Sequence, residues 1–156
     1  PRKMFVFESD RPARYLACAI SRFTLVTSAR LNIATSKPSE GDGQGEMLTL
    51  FVQANPRQAG RARALGDRSA AILEYYASLL GEAPYPNVTL AVAESELPGG
   101  HSPPYFALVN QTLPMSTLVW RNDPVSFDGY PSFFLAHELA HQWWGQAVGW
   151  KNYHEQ

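Results

Sequence analysis

Residues 133–145 read FFLAHELAHQWWG, and the remaining chain is best understood outward from them. The apolar residues Phe133, Phe134, Leu135, Leu139, Trp143 and Trp144 run almost all the way round a helix. The pattern predicts a helix beginning near Pro131 or Ser132 and buried on most sides. Three polar groups stand inside it: His137, Glu138 and His141. Positions i and i+4 lie one above the other on a helix, so both imidazoles can reach a single ion. Glu138 is rotated off that face, which suits a carboxylate that meets a water beside the ion rather than the ion itself. A lone histidine on an apolar face is ordinarily a hydrogen-bonded core residue. Two histidines and a glutamate together are costly to bury, and a bound cation offsets that cost. His137, Glu138 and His141 fit the HExxH zinc pattern, so the expected cofactor is Zn2+, with His137 and His141 as candidate metal ligands and Glu138 placed to meet the metal-bound water.

Catalytic zinc takes three protein ligands and keeps one position open. The metzincin pattern would place glycine at 144 and histidine at 147, where this chain has Trp144 and Ala147, so that class is excluded. His154 and Glu155 would lie about 20 Å further along a helix continued from His141. They could ligate only if the chain turns back after Gly145 or Gly149.

The 156 residues suffice for about one ordinary domain. With 45% apolar and 17% charged residues the composition is that of a soluble globular protein, and no run approaches the roughly 18 apolar residues of a membrane span. Thirteen basic residues against fourteen acidic ones give no positive field that would favour nucleic acid. The single cysteine, Cys18, excludes an internal disulfide framework and a cysteine zinc cluster, and is expected to be a small buried apolar residue. The chain starts at Pro1 with no signal-like leader and is read as a piece of something longer.

Upstream, residues 4–8 are expected to form an edge strand or the tail of a preceding domain. Residues 15–33 alternate like a strand, with Phe23, Leu25 and Thr27 on one face and Thr24 and Val26 on the other. The glycine-rich stretch 36–46, SKPSEGDGQGE, is read as a hairpin loop leading to a strand at 47–54. Asn55 and Pro56 look like a helix start, Leu65, Ile72, Leu73, Tyr76, Leu79 and Leu80 recur at helical spacing, and Gly81 stands at the C-terminal cap. Arg61, Arg68 and Glu74 are expected on the solvated face. Short strands follow at 88–93, 105–110 and 117–120, with a loop at 123–129. The expected fold is α+β, with a mixed, mostly antiparallel sheet and both helices packed on one face.

HELAHQWWG resembles the zinc signature of the M1 aminopeptidases, which are gluzincin metallopeptidases. In that family a glutamate third ligand follows the second histidine at a fixed spacing, which here falls four residues beyond Gln156. The resemblance implies His137 and His141 as ligands, Glu138 as general base, and His154 and Glu155 as the approach to the missing ligand. It also implies a thermolysin-like (zincin) N-terminal subdomain. Residues 1–22 would then end a preceding β-domain or form an edge strand, and residues 23–156 would be a partial catalytic domain. The remaining domains of the longer chain would cover its exposed apolar surface.

The chain departs from the family just ahead of the zinc helix. M1 enzymes carry a GAMEN-type segment whose glutamate binds the free α-amine of the substrate. Here the matching segment is GGHSPPYFALVN, with Pro103 at the glutamate position, and the nearest carboxylates are Glu94 and Glu96. Gly99 and Gly100 would let a backbone pass close to substrate, and YFALVN could pair with an extended peptide as an edge strand. An ordinary turn into a core strand fits the same residues equally well. His101 sits in a glycine-proline loop and is expected to be exposed. The candidate substrate-binding residues are Gly99, Gly100, His101, Ser102 and Tyr105.

The function expected from the resemblance is zinc-dependent peptide-bond hydrolysis by the full-length protein, with a peptide as substrate and little or no catalysis by residues 1–156 alone. An inactive peptidase-like module that binds peptides or partners is the alternative, supported by the altered segment and opposed by the intact HExxH. A hydrolase of epoxides or other non-peptide substrates on the same scaffold is a third reading.

Overall fold

A computed structural model describes residues 2–15, 17–33, 46–94, 100–110, 130–149 and 151. These form a mixed five-stranded sheet and two α-helices, so the α+β expectation is met. Strands β1 (Thr24–Ile33), β2 (Glu46–Ala54), β3 (Asn87–Ala93), β4 (Gly100–His101) and β5 (Phe106–Asn110) lie in the order β1-β2-β3-β5-β4. Helix α1 spans Ala59–Leu80 after a short 3-10 turn, Pro56–Gln58, and helix α2 spans Tyr130–Ala140. No helix among the described residues is long and apolar enough to cross a membrane.

The mostly antiparallel expectation needs correction. The outer pairs β1–β2 and β4–β5 are antiparallel, but β2–β3 and β3–β5 are parallel. The cause lies in the connection, because α1 carries the chain from β2 back to the start of β3, and such a crossover joins parallel neighbours. A second correction concerns YFALVN. Strand β5 lies between β3 and β4, so the edge beside the site is Gly100–His101. The predicted segments at 36–45, 117–120 and 123–129 lie outside the described residues.

One face of the sheet holds the core. Leu31 and Ile33 of β1, Leu48, Leu50, Val52 and Ala54 of β2, Val88, Leu90 and Val92 of β3, and Ala107 and Val109 of β5 are all buried. They form a single cluster with Leu73 of α1 and with Leu135, Leu139 and Trp143. Both helices therefore cover that face, as expected. Strand β1 starts only at Thr24, and a bulge between Leu25 and Thr27 changes its facing. Thr24 and Thr27 are in register with core residues Ala54 and Val52, whereas Leu25 is 60% exposed. The strict alternation expected for this segment fails because a bulge inserts one unpaired residue. Residues 4–8 form no strand, and Met4, Phe5, Val6 and Phe7 are exposed. Cys18 is exposed rather than buried.

Helix α1 begins and ends as its sequence predicts. The Asn55 side chain accepts from the Arg57 amide at 3.1 Å, and Gly81 caps the end at φ 80° in the left-handed region that suits glycine. Its buried stripe is built differently from the expectation, from Ala62, Gly66, Ser69, Leu73 and Ala77. Leu79 and Leu80 are exposed. Small residues let the helix lie close to the sheet: a Cβ on Gly66 would stand 2.8 Å from Val52 Cγ2. Arg61 leaves the solvated face, since it is half-buried and donates through Nη2 to the Asn110 carbonyl at 3.0 Å. Burial lowers its pKa from the usual value.

Candidate functional site

Helix α2 delivers His137 and Glu138, and a tightened last turn delivers His141. The Gln142 amide donates to the Leu139 carbonyl at 3.1 Å, and the Trp143 amide to that of Ala140 at 3.0 Å. Gly145 at φ 95° then ends the turn. The i, i+4 spacing has the predicted effect, for the Nε2 atoms of His137 and His141 stand 3.2 Å apart with their rings nearly perpendicular. His141 Nδ1 lies 3.1 Å from the Trp144 carbonyl. That oxygen can only accept, so Nδ1 carries the proton and the Nε2 lone pair faces His137.

This donor pair fits zinc. Two nitrogens each bound at zinc's usual distance in tetrahedral geometry stand roughly 3.3 Å apart, close to the observed separation. The carbonyl behind His141 is the kind of partner that fixes a metal-binding tautomer. Among the described residues no cluster of three or more histidine, cysteine or acidic side chains forms, so the candidate site here is the pair His137 and His141.

Glu138 is 5% exposed and buried against the sheet edge. The Ser102 hydroxyl donates to Glu138 Oε2 at 2.6 Å. A Cβ on Gly100 would come within 2.6 Å of Glu138 Cδ, so the carboxylate occupies the space a side chain would fill. The two residues that flank His101 thus face Glu138. A cavity of about 460 Å³ opens here, and Gly100, His101, Ser102, Glu138 and His141 all line it. His137 is exposed, with the Phe133 ring 6.1 Å from its own.

Other predicted residues lie elsewhere. Tyr105 is not part of the cavity lining: its ring packs on Tyr85 at 4.4 Å, and its hydroxyl donates to Asp10 at 2.5 Å and accepts from the Arg11 amide at 2.9 Å. Tyr105 thereby ties the N-terminal segment down. Gly99 and Glu96 lie outside the described residues, and Glu94 is exposed without reaching the cavity. Trp143 is core, donating to the Glu82 carbonyl at 3.0 Å, whereas Trp144 is 45% exposed and meets Tyr76 edge-on.

No family model matches this chain, and no curated protein matches it.

Three cavity residues, Arg14, Tyr15 and Gln146, carry no signal in the sequence, and Gly145 reads there only as a turn. Arg14 and Tyr15 come from the N-terminal segment, and Gly145 and Gln146 from the turn after His141. Arg14 donates to the Gly145 carbonyl at 2.9 Å. The Tyr15 hydroxyl accepts from Gln146 at 3.3 Å and lies 3.5 Å from His101 Nε2. These contacts span 86 to 131 positions, so no local pattern could announce them. Gln142 is different, because it is fully buried in the turn that ends an apolar helical stretch. The reasoning that singled out His137, Glu138 and His141 would have found it.

Proposed function

We propose that this chain is the zinc-binding part of an M1 aminopeptidase-like metallopeptidase, a gluzincin with a thermolysin-like subdomain, and that the full-length protein hydrolyses peptide bonds. The observation that carries the reading is the convergence of the His137 and His141 Nε2 atoms at 3.2 Å beside the buried carboxylate of Glu138. The resemblance puts the third ligand, a glutamate, and an oxyanion-stabilising tyrosine beyond residue 156.

Zinc bound at this site would supply a Lewis acid for the scissile carbonyl and would acidify the attacking water. His137 and His141 would hold the ion, with the Trp144 carbonyl keeping the His141 proton on Nδ1 and so freeing Nε2. Glu138 takes the proton of the attacking water and passes it to the leaving amine, so the carboxylate is restored at the end of the cycle. The cavity, lined on one side by the Gly100–His101 edge, has room for the peptide around the cleaved bond.

Among the described residues, Glu138 is the only carboxylate lining the cavity. Free and N-acylated peptides are the two substrates to compare. In the full-length protein, Glu138→Gln retains zinc and lowers turnover on either peptide by about a hundredfold or more. Wild-type turnover in that variant removes Glu138 from the mechanism.

A further inference from the structure

We infer that Ser102 is a positioning residue for Glu138, an inference that rests on the peptidase reading above. Sequence reasoning groups Ser102 with the substrate-binding residues, but the geometry gives its hydroxyl a different partner. A serine that binds substrate presents its hydroxyl to the cleft. Here the residue is 5% exposed and its proton is directed at Glu138 Oε2 over 2.6 Å. A hydrogen bond to a charged acceptor at that distance is among the stronger kinds available to a side chain.

The serine is itself held in place from both sides. Gln146 donates to the Ser102 carbonyl at 2.9 Å, and Gln142 donates to the Pro103 carbonyl at 3.1 Å. Both glutamines belong to the stretch that carries His141, so the hydroxyl is fixed relative to the histidine pair. On its other side the carboxylate lies against Gly100, where a Cβ would meet Glu138 Cδ at 2.6 Å and Oε1 at 2.8 Å. Glu138 is therefore held between the bare backbone of the edge strand and one hydroxyl. A glutamate has three side-chain torsions to fix before its carboxylate can take a proton from one defined direction. Ser102 restricts them by occupying Oε2, which leaves Oε1 to exchange the proton. Its effect reaches the reaction only through Glu138.

The test uses the full-length protein and Ser102→Ala, which shortens the side chain without adding bulk. Kinetics with a peptide substrate are expected to show kcat about ten- to a hundredfold lower, the loss of a hydrogen bond to a charged group. KM stays within about twofold and zinc per chain is unchanged, because an interaction used only in the chemical step leaves binding intact. A second readout needs no turnover. In the metal-free protein, Ser102→Ala lowers the melting temperature by about 2–4 °C when Glu138 is present. In a Glu138→Ala background the same change has little effect, since the hydroxyl has no carboxylate to hold.

Unchanged kcat in Ser102→Ala overturns the inference. So does a raised KM at unchanged kcat, which returns Ser102 to substrate binding. Equal melting shifts in the two Glu138 backgrounds overturn it as well. Absence of hydrolysis by the zinc-loaded wild-type protein is a separate failure: it removes the peptidase reading, and with it any base for Ser102 to position.

Discussion

Gln142 uses both ends of its amide. Its Oε1 accepts from the Tyr105 amide at 3.1 Å, and its Nε2 donates to the carbonyls of Pro103 at 3.1 Å and Phe106 at 3.2 Å. One fully buried side chain thus joins the histidine-bearing turn to the loop that places Ser102 and to the start of β5. Gln142→Leu keeps much of the volume but takes the side-chain partner from the Tyr105 amide and the Phe106 carbonyl, while the Pro103 carbonyl keeps the Phe106 amide at 3.3 Å. Each unsatisfied group costs about 1–3 kcal/mol, so urea unfolding should show a loss of roughly 2 kcal/mol or more. A loss under about 1 kcal/mol would mean that the loop finds other partners. At this scale the sequence was legible wherever chemistry and spacing coincide, as in His137, Glu138 and His141. It was illegible for Arg14 and Tyr15, whose place beside the site depends on how the N-terminal segment is laid across the sheet edge. Tyr105 illustrates the same limit. It belongs to the segment GGHSPPYFALVN from which the substrate-binding candidates were drawn, yet its φ of 71° and the Tyr85 ring turn it toward Asp10.

Helix α1 offers a contrast between two of its glycines. Around Gly60 nothing lies within 4 Å of an added Cβ, whereas at Gly66 that atom meets Val52 Cγ2 at 2.8 Å, and Val52 is fully buried. Alanine gains helix propensity over glycine at either site, by up to about 1 kcal/mol. At Gly60 only the gain applies, so Gly60→Ala stabilises by about 0.5 kcal/mol near the helix start. At Gly66 overpacking by roughly 1–3 kcal/mol outweighs it, so Gly66→Ala destabilises. Thermal unfolding of the pair reads the opposite signs, and equal shifts would contradict the close packing of α1 on β2.

The junction of α1 with α2 gives a pH dependence. Tyr76 donates to the Ala136 carbonyl at 3.2 Å, and burial, then the neighbouring Tyr75, raises its pKa above the ordinary 10.0. The folded state holds this proton more tightly than the unfolded one. Its contribution is complete below the ordinary value and is lost as pH rises through the raised one. Urea midpoints measured between about pH 8 and pH 11 should therefore fall less steeply in Tyr76→Phe than in the wild type. Parallel slopes would show that Tyr76 ionises equally in both states. The lengths of α1, β2 and β3 were legible because each follows one period from end to end. The bulge at Val26 and the parallel pairing of β2 with β3 were not inferred. A bulge leaves no periodic trace, but the crossover was already implied by a helix between two strands.

For the whole molecule, one sheet face carries the core, and the site forms where α2 meets the sheet edge at Gly100–His101. The α+β class and the helix-covered face were readable from period and length alone. Which elements border the cleft was not, since that follows from strand order and from where residues 9–15 are anchored, at Tyr105, Pro84 and Gly145. The central claim is that His137 and His141 are zinc ligands and Glu138 is not. Zinc content of the dialysed full-length protein tests it most directly, measured in the wild type, in Glu138→Gln and in His137→Ala and His141→Ala. The account predicts about one zinc per chain in the first two and a loss of most of it in each histidine variant. A wild-type protein that retains no zinc, or histidine variants that retain it fully, would contradict the account.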